Sequence, residues 1–270
     1  MTRLDPGRVT ATRALAVVPP RRLDVRPMLG WLALVLSIIL LWALVVRVLS
    51  VPAIIAPDPF VVLGDLWVSR DRYTLALGQT ILTAAGGLLL GTVIALVLAV
   101  AAWWSASADA ASRPLVYFLQ AIPMTALIPV VSGLVGYGYG AVITLTTLST
   151  LFPTYVIVGT ALASPPGSSV QVMAALGATR GQLLRHVALP AALPSLFVAL
   201  QLGATLAILG SFATEYLQGG WGLGGLFALA RREFSNPAMP WGIAILATLL
   251  SALSYALFHA LAQRVASRFA

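Results

Sequence analysis

A chain of 270 residues with 60% hydrophobic residues, 9% charged residues and a mean hydropathy of +0.96 is too apolar for a soluble domain, where about a quarter of residues are charged. Its formal net charge of +8 is carried without a single lysine, which excludes a phosphate-gripping Gly-Lys-Ser/Thr loop and assigns any ATP hydrolysis to another chain. There is no cysteine, and His186 and His259 stand far apart outside any H-E-x-x-H pattern, so disulfides, thiolate chemistry and a metal enzyme are not expected.

Residues 1–27 are polar and arginine-rich, with no short apolar core before a small-residue cleavage site. They read as a basic cytoplasmic tail rather than a signal peptide. The rest, residues 28–270, reads as one transmembrane domain. Residues 28–49 form a first span, long enough for a hydrocarbon core of ~30 Å, with Arg47 snorkelling to the headgroups. Residues 50–75 hold Pro52, Pro57 and Pro59 among aspartates and arginines, and predict a wet external loop with a short surface helix over 60–68. A second span follows over 76–104, with Gly86, Gly87 and Gly91 offering a small face for close helix contact. Residues 105–113 are a short internal loop.

A third span covers 114–134 and is broken by Pro123 and Pro129. Such prolines are tolerated where neighbouring helices or a cavity satisfy the freed carbonyls. Val135-Gly136-Tyr137-Gly138 echoes a potassium filter, but Leu134 holds the threonine position and a full span precedes it, so a tight external turn is expected. Residues 141–163 are the fourth span.

The longest polar interruption comes next. Ser168 with Gln171 has capping-box spacing, Gly177 can end that helix in a left-handed conformation, and Thr179 with Gln182 repeats the box for a second helix. Ala174 and Ala175 lie on the face of Gln171, where a partner surface can approach closely. Pro190 and Pro194 are expected to bend or restart the chain before a fifth span, 191–216, and residues 241–263 are the sixth. Between them, arginines 231 and 232 are expected on a surface helix over 226–234. Glu215 closes the fifth span: it is either a pathway residue, as intramembrane carboxylates are by default, or an interfacial residue solvated by water. No arginine stands mid-span, so no fixed anion site is expected within the membrane.

The arginine distribution orients the chain. With both termini cytoplasmic, Arg3, Arg8, Arg13, Arg21, Arg22, Arg26, Arg113, Arg180, Arg185, Arg264 and Arg268 are internal, against Arg47, Arg70, Arg72, Arg231 and Arg232 outside. The excess explains the net charge without nucleic acid and puts the 164–190 loop on the cytoplasmic side.

That loop carries a resemblance. Gly177 followed ten residues on by Val187-Ala188-Leu189-Pro190 resembles the second half of the E-A-A-x-x-x-G…I-x-L-P loop of importer-type ABC permeases. Gln171, Val172 and Met173 stand where that pattern has Glu-Ala-Ala. From about Tyr73 onward the chain is similar to the nitrate/sulfonate/taurine branch, which includes thiamine-precursor permeases. The resemblance implies an all-α membrane protein with six transmembrane helices in type I ABC importer architecture, sited in a prokaryotic inner membrane. Loop 164–190 would be the coupling helix, with Gln171, Ala174, Ala175, Gly177, Ala178 and Pro190 facing an ABC ATPase dimer. Pro123, Pro129, Glu215, Gly222 and Gly224 would serve the pathway or external gate. The chain itself would hold no cofactor, ATP and Mg residing on the ATPase. A second permease copy or sister permease and an extracytoplasmic binding protein would complete the machine. The alternative is an ion channel or another multi-pass protein without an ATPase.

Overall fold

The computed structural model describes residues 26–233 and 235–269, so the expected tail lies outside the described residues apart from its last two, Arg26 and Pro27. Among the described residues every regular element is a helix. Helix α1 (Arg26–Val48) leads to α2 (Pro59–Val68), which is capped by Asp58 and slightly longer than expected. Helix α3 (Arg70–Trp104) begins six residues before the expected span, so the loop before it is shorter than its composition implied. Four helices among the described residues are long and apolar enough to cross a membrane: α3, α6 (Tyr139–Ala163), the continuous run Arg180–Gln218, and most of α11 (Ala238–Phe269). Helices α4 (Ala106–Ala121) and α5 (Met124–Val135), taken as one bent span, make a fifth. The apolar part of α1, Ala33–Val48, is shorter.

The core is centred on α6, whose packing against α3 and against α9 (Leu189–Gln218) is more extensive than that of any other helix pair among the described residues. Small residues set its spacing. A Cβ on Gly91 would lie 2.0 Å from Thr150 Oγ1 and 2.7 Å from the Thr147 carbonyl, and one on Gly87 would meet the Thr146 side chain at 2.4 Å. Gly86, expected on the same small face, has only an ordinary 3.6 Å approach to Ile143 and does not determine the contact. Thr150 Oγ1 donates to the Gly87 carbonyl, and the Thr146 and Ser211 hydroxyls bond across α6 and α9, so the hydroxyls as well as the glycines join these helices.

Three expectations are corrected here. The third span is not a straight helix interrupted twice. It turns by 104° at Ile122 and Pro123, while Pro129 sits inside α5 without breaking it. Pro190 and Pro194 do not restart the chain. Helix α8 (Arg180–Leu183), a π turn (Leu184–Ala188) and α9 run on as one helix: the wider π turn just ahead of Pro190 admits a proline that cannot donate to the carbonyl four residues back, and Pro194 sits inside α9 without breaking it. Arg47 does not snorkel free: its Nε lies 2.6 Å from Asp58 and its guanidinium 5.4 Å from the Phe60 ring centre, which ties α1 to α2.

Candidate functional site

Two regions at opposite ends of the bundle hold the candidate residues other than Pro123 and Pro129. At one end, α7 (Gly167–Ala175) projects beyond α6. Its start departs from expectation. Pro166 is the cap residue and Ser168 already lies inside the helix, so the Ser168–Gln171 box does not form. The helix begins early because the Pro166 carbonyl takes the Val170 N–H at 3.1 Å. Its end is as expected. Gly177 has φ +69°, Gly177 N donates to Ala174 O, and Ala178 N donates to Met173 O, each at 3.0 Å, the paired bonds of a Schellman stop. The next box also forms: Thr179 N donates to Gln182 Oε1 at 2.7 Å and Gln182 N to Thr179 Oγ1 at 3.3 Å.

Between these stops the helix buries none of its own residues. Gln171, Ala174, Ala175 and Gly177 are exposed, Ala178 and Pro190 are half-buried, and Leu176 is 76% exposed. Helix α7 thus presents small and apolar residues on an exposed surface and is stopped firmly at its far end.

At the opposite end the structure gathers Glu215, Gly222 and Gly224. Glu215 is not solvated by water. It is 2% exposed, and its carboxylate accepts from Thr80 Oγ1 at 2.7 Å, Thr83 Oγ1 at 3.0 Å and Gly224 N at 3.2 Å. Two more N–H groups at the start of α10 (Gly222–Ala230) are taken by α3: Gly222 N by Gln79 Oε1 at 2.9 Å and Leu223 N by Thr80 Oγ1 at 2.8 Å. The first turn of α10 is thus held by α3 and α9 together, with a carboxylate at its positive end. Glycine is required at both expected positions. A Cβ on Gly222 would lie 2.2 Å from the Glu215 carboxyl carbon, and one on Gly224 would lie 2.1 Å from the Phe212 carbonyl oxygen.

Helix α10 also differs from the surface helix expected over 226–234. It starts earlier, buries Leu223, Leu226 and Ala230, and ends before Arg231, while position 234 lies outside the described residues. Gln218 joins this end to α5 and α6 by donating to Ser132 Oγ at 2.8 Å and accepting from Gly138 N at 3.2 Å. Val135–Gly138 is accordingly the turn between α5 and α6, although the short bent α5, rather than a full span, precedes it.

Pro123 and Pro129 are not part of this cluster; both are exposed on the bent pair. Gln79, Thr80 and Thr83 were missed as site residues. A glutamine and two threonines within one turn of an apolar helix were the available signal, since polar groups in a span need partners.

The comparisons agree on one kind of protein. The family model for the binding-protein-dependent transport system inner membrane component matches residues 73–270. The formylaminopyrimidine transport permease protein ThiX of Halalkalibacterium halodurans is 27% identical, over 82% of this chain and 88% of its own length. The riboflavin transport system permease protein RibX of Chloroflexus aurantiacus is 31% identical, over 83% of this chain and 84% of its own. An inward-facing MetNI methionine ABC transporter superposes with a TM-score of 0.58 at 22% identity, covering 75% of this chain and 98% of that one; this likeness concerns the fold.

Proposed function

Because the chain belongs to the binding-protein-dependent transport system inner membrane components, and so is a multi-pass ABC importer permease, we propose that it couples an ATPase to solute entry through the loop 164–190. The observation that carries this reading is the exposed helix α7 between its proline start and its Schellman stop. Its small face at Ala174 and Ala175 enters a groove of the ATPase, and the continuous helix from Arg180 to Gln218 transmits displacement toward the far end of the bundle. ATP and Mg stay on the ATPase.

Six spans with both termini cytoplasmic fit the arginine distribution. The bend at Pro123 supports a second permease, a copy or a sister chain. Helix α4 is about 24 Å long at 1.5 Å per residue, so its last carbonyls end within the hydrocarbon layer. Unpaired backbone at that depth must face protein or a water-filled path rather than lipid. The exposed Pro123 and Pro129 therefore lie toward the partner permease and the solute path. The solute, delivered by an extracytoplasmic binding protein, is a small polar organic molecule of the kinds named for the relatives: a formylaminopyrimidine or riboflavin.

Affinity purification of the chain from its native membrane tests the coupling reading. An ABC ATPase should copurify with the parent and be lost from Ala175→Trp at equal membrane levels. An ATPase held equally well by Ala175→Trp would show that the loop is only a connector.

A further inference from the structure

We propose that the external end of the bundle holds a binding site for a small organic anion, gripped by Arg72, Arg232 and Gln79. The inference rests on the permease reading and names the chemistry of what the chain handles at that end. A cavity of about 480 Å³ opens between the first turns of α3, the glycine turn after α9, and α10. Arg72 enters its wall from α3 and Arg232 from just beyond α10, and no carboxylate lines it among the described residues.

The other arginines near this end are already engaged. Arg47 pairs with Asp58, Arg70 with Asp71 at 3.8 Å, and Arg231 donates to Tyr216 Oη at 3.3 Å. Arg72 and Arg232 have no such partner among the described residues. Two arginines lining one concavity raise the local concentration of anions, and the planar forks of their guanidiniums suit carboxylate, sulfonate or phosphate oxygens.

Gln79 adds a neutral donor. Its Oε1 is committed to Gly222 N, which leaves the amide N–H₂ available on the same wall. Gly219 and Gly220 let a ligand approach the backbone, while Leu75 and Leu229 supply an apolar side. A bare inorganic ion would leave that apolar side unused; an anionic head on a short carbon body uses both. Gln79 also holds the first turn of α10, so a ligand there touches the same side chain that the Glu215 cluster depends on.

The chain contains no cysteine, so Leu229→Cys, exposed on the cavity wall, gives a clean reporter. The full chain, with whatever ATPase copurifies, is placed in nanodiscs so that both faces are open. It is then labelled with sulfonatoethyl or trimethylammonioethyl methanethiosulfonate. The anionic reagent should react faster than the cationic one, and free ethanesulfonate should slow labelling. In Arg72→Gln/Arg232→Gln the anionic preference should fall roughly tenfold and protection should vanish, whereas the paired Lys substitutions, which keep the charge, should retain the preference. Equal preference in parent and Gln variant, or no slowing by ethanesulfonate, overturns the site. Protection that appears only with the binding protein also overturns it, by assigning the arginines to protein docking. The labelling is read on the chain itself, so loss of the site with the ATPase still bound leaves the permease reading intact, and loss of the ATPase with protection retained does the reverse.

Discussion

Replacing Glu215 by alanine removes the acceptor on which α3, α9 and α10 converge, and the cost can be worked donor by donor. Thr83 Oγ1 has other acceptors in the carbonyls of Gln79 at 3.2 Å and Thr80 at 3.1 Å, so it is not orphaned. The Thr80 hydroxyl and the Gly224 N–H lose the one acceptor each has, inside a site that is buried. At about 1–3 kcal/mol for each unsatisfied buried donor the loss is about 2–6 kcal/mol, to which the vacated side-chain volume adds. Glu215→Gln keeps the volume and one acceptor oxygen but turns the other atom into a donor, so it should lie between alanine and the parent. Thermal loss of the monodisperse complex in detergent should rank parent, Gln, Ala. The Leu229→Cys reporter should label faster in the alanine variant as α10 loosens. An alanine variant that melts with the parent and labels at the parent rate would refute the role of the carboxylate as the tie.

Three further outcomes are expected. A Cβ on Gly177 would meet no atom within 4 Å, so the main effect of Gly177→Val is backbone strain, about 1–2 kcal/mol at φ +69°. It should insert normally yet weaken ATPase copurification, and Gly177→Asn, which tolerates that conformation, should restore it; equal loss in both variants would rule strain out. Gly91→Ala should lower the melting temperature, by about 1–3 kcal/mol of overpacking against Thr150 and the Thr147 carbonyl, while Gly86→Ala on the same helix should be neutral or slightly stabilising. The hydrogen bond from Arg47, then the Phe60 N–H, hold the Asp58 carboxyl below its ordinary value of 3.8. Its small contribution is therefore present above that value and lost as pH falls through the lower folded value. Acid melting curves of Arg47→Gln should lack that increment, and superimposable curves for the two proteins would contradict the pairing.

What the sequence by itself determined was mostly local or periodic. The apolar runs placed the four long helices and the bent pair α4–α5 because their length must match a bilayer, whereas the expected first span is matched only by the shorter apolar run Ala33–Val48. The Gly177 stop and the Thr179–Gln182 cap were legible because every group they use lies within five residues along the chain. The same reasoning failed at Ser168, where Pro166 nucleated the helix earlier and left the serine inside it. Tertiary structure alone decided the rest. Pro123 announced a break but not its 104° angle, which depends on what α4 and α5 pack against. Glu215, from its place near a span end, left a pathway role and a water-solvated interfacial role both open. Its partners Thr80 and Thr83 lie more than 130 residues away, and only the rotation of α3 against α9 brings them to the carboxylate. Arg72 and Arg232 share a cavity for the same reason. Backbone dihedrals and hydrophobic length are properties of a short segment, whereas the partner of a polar side chain is fixed by how whole helices rotate and close on one another.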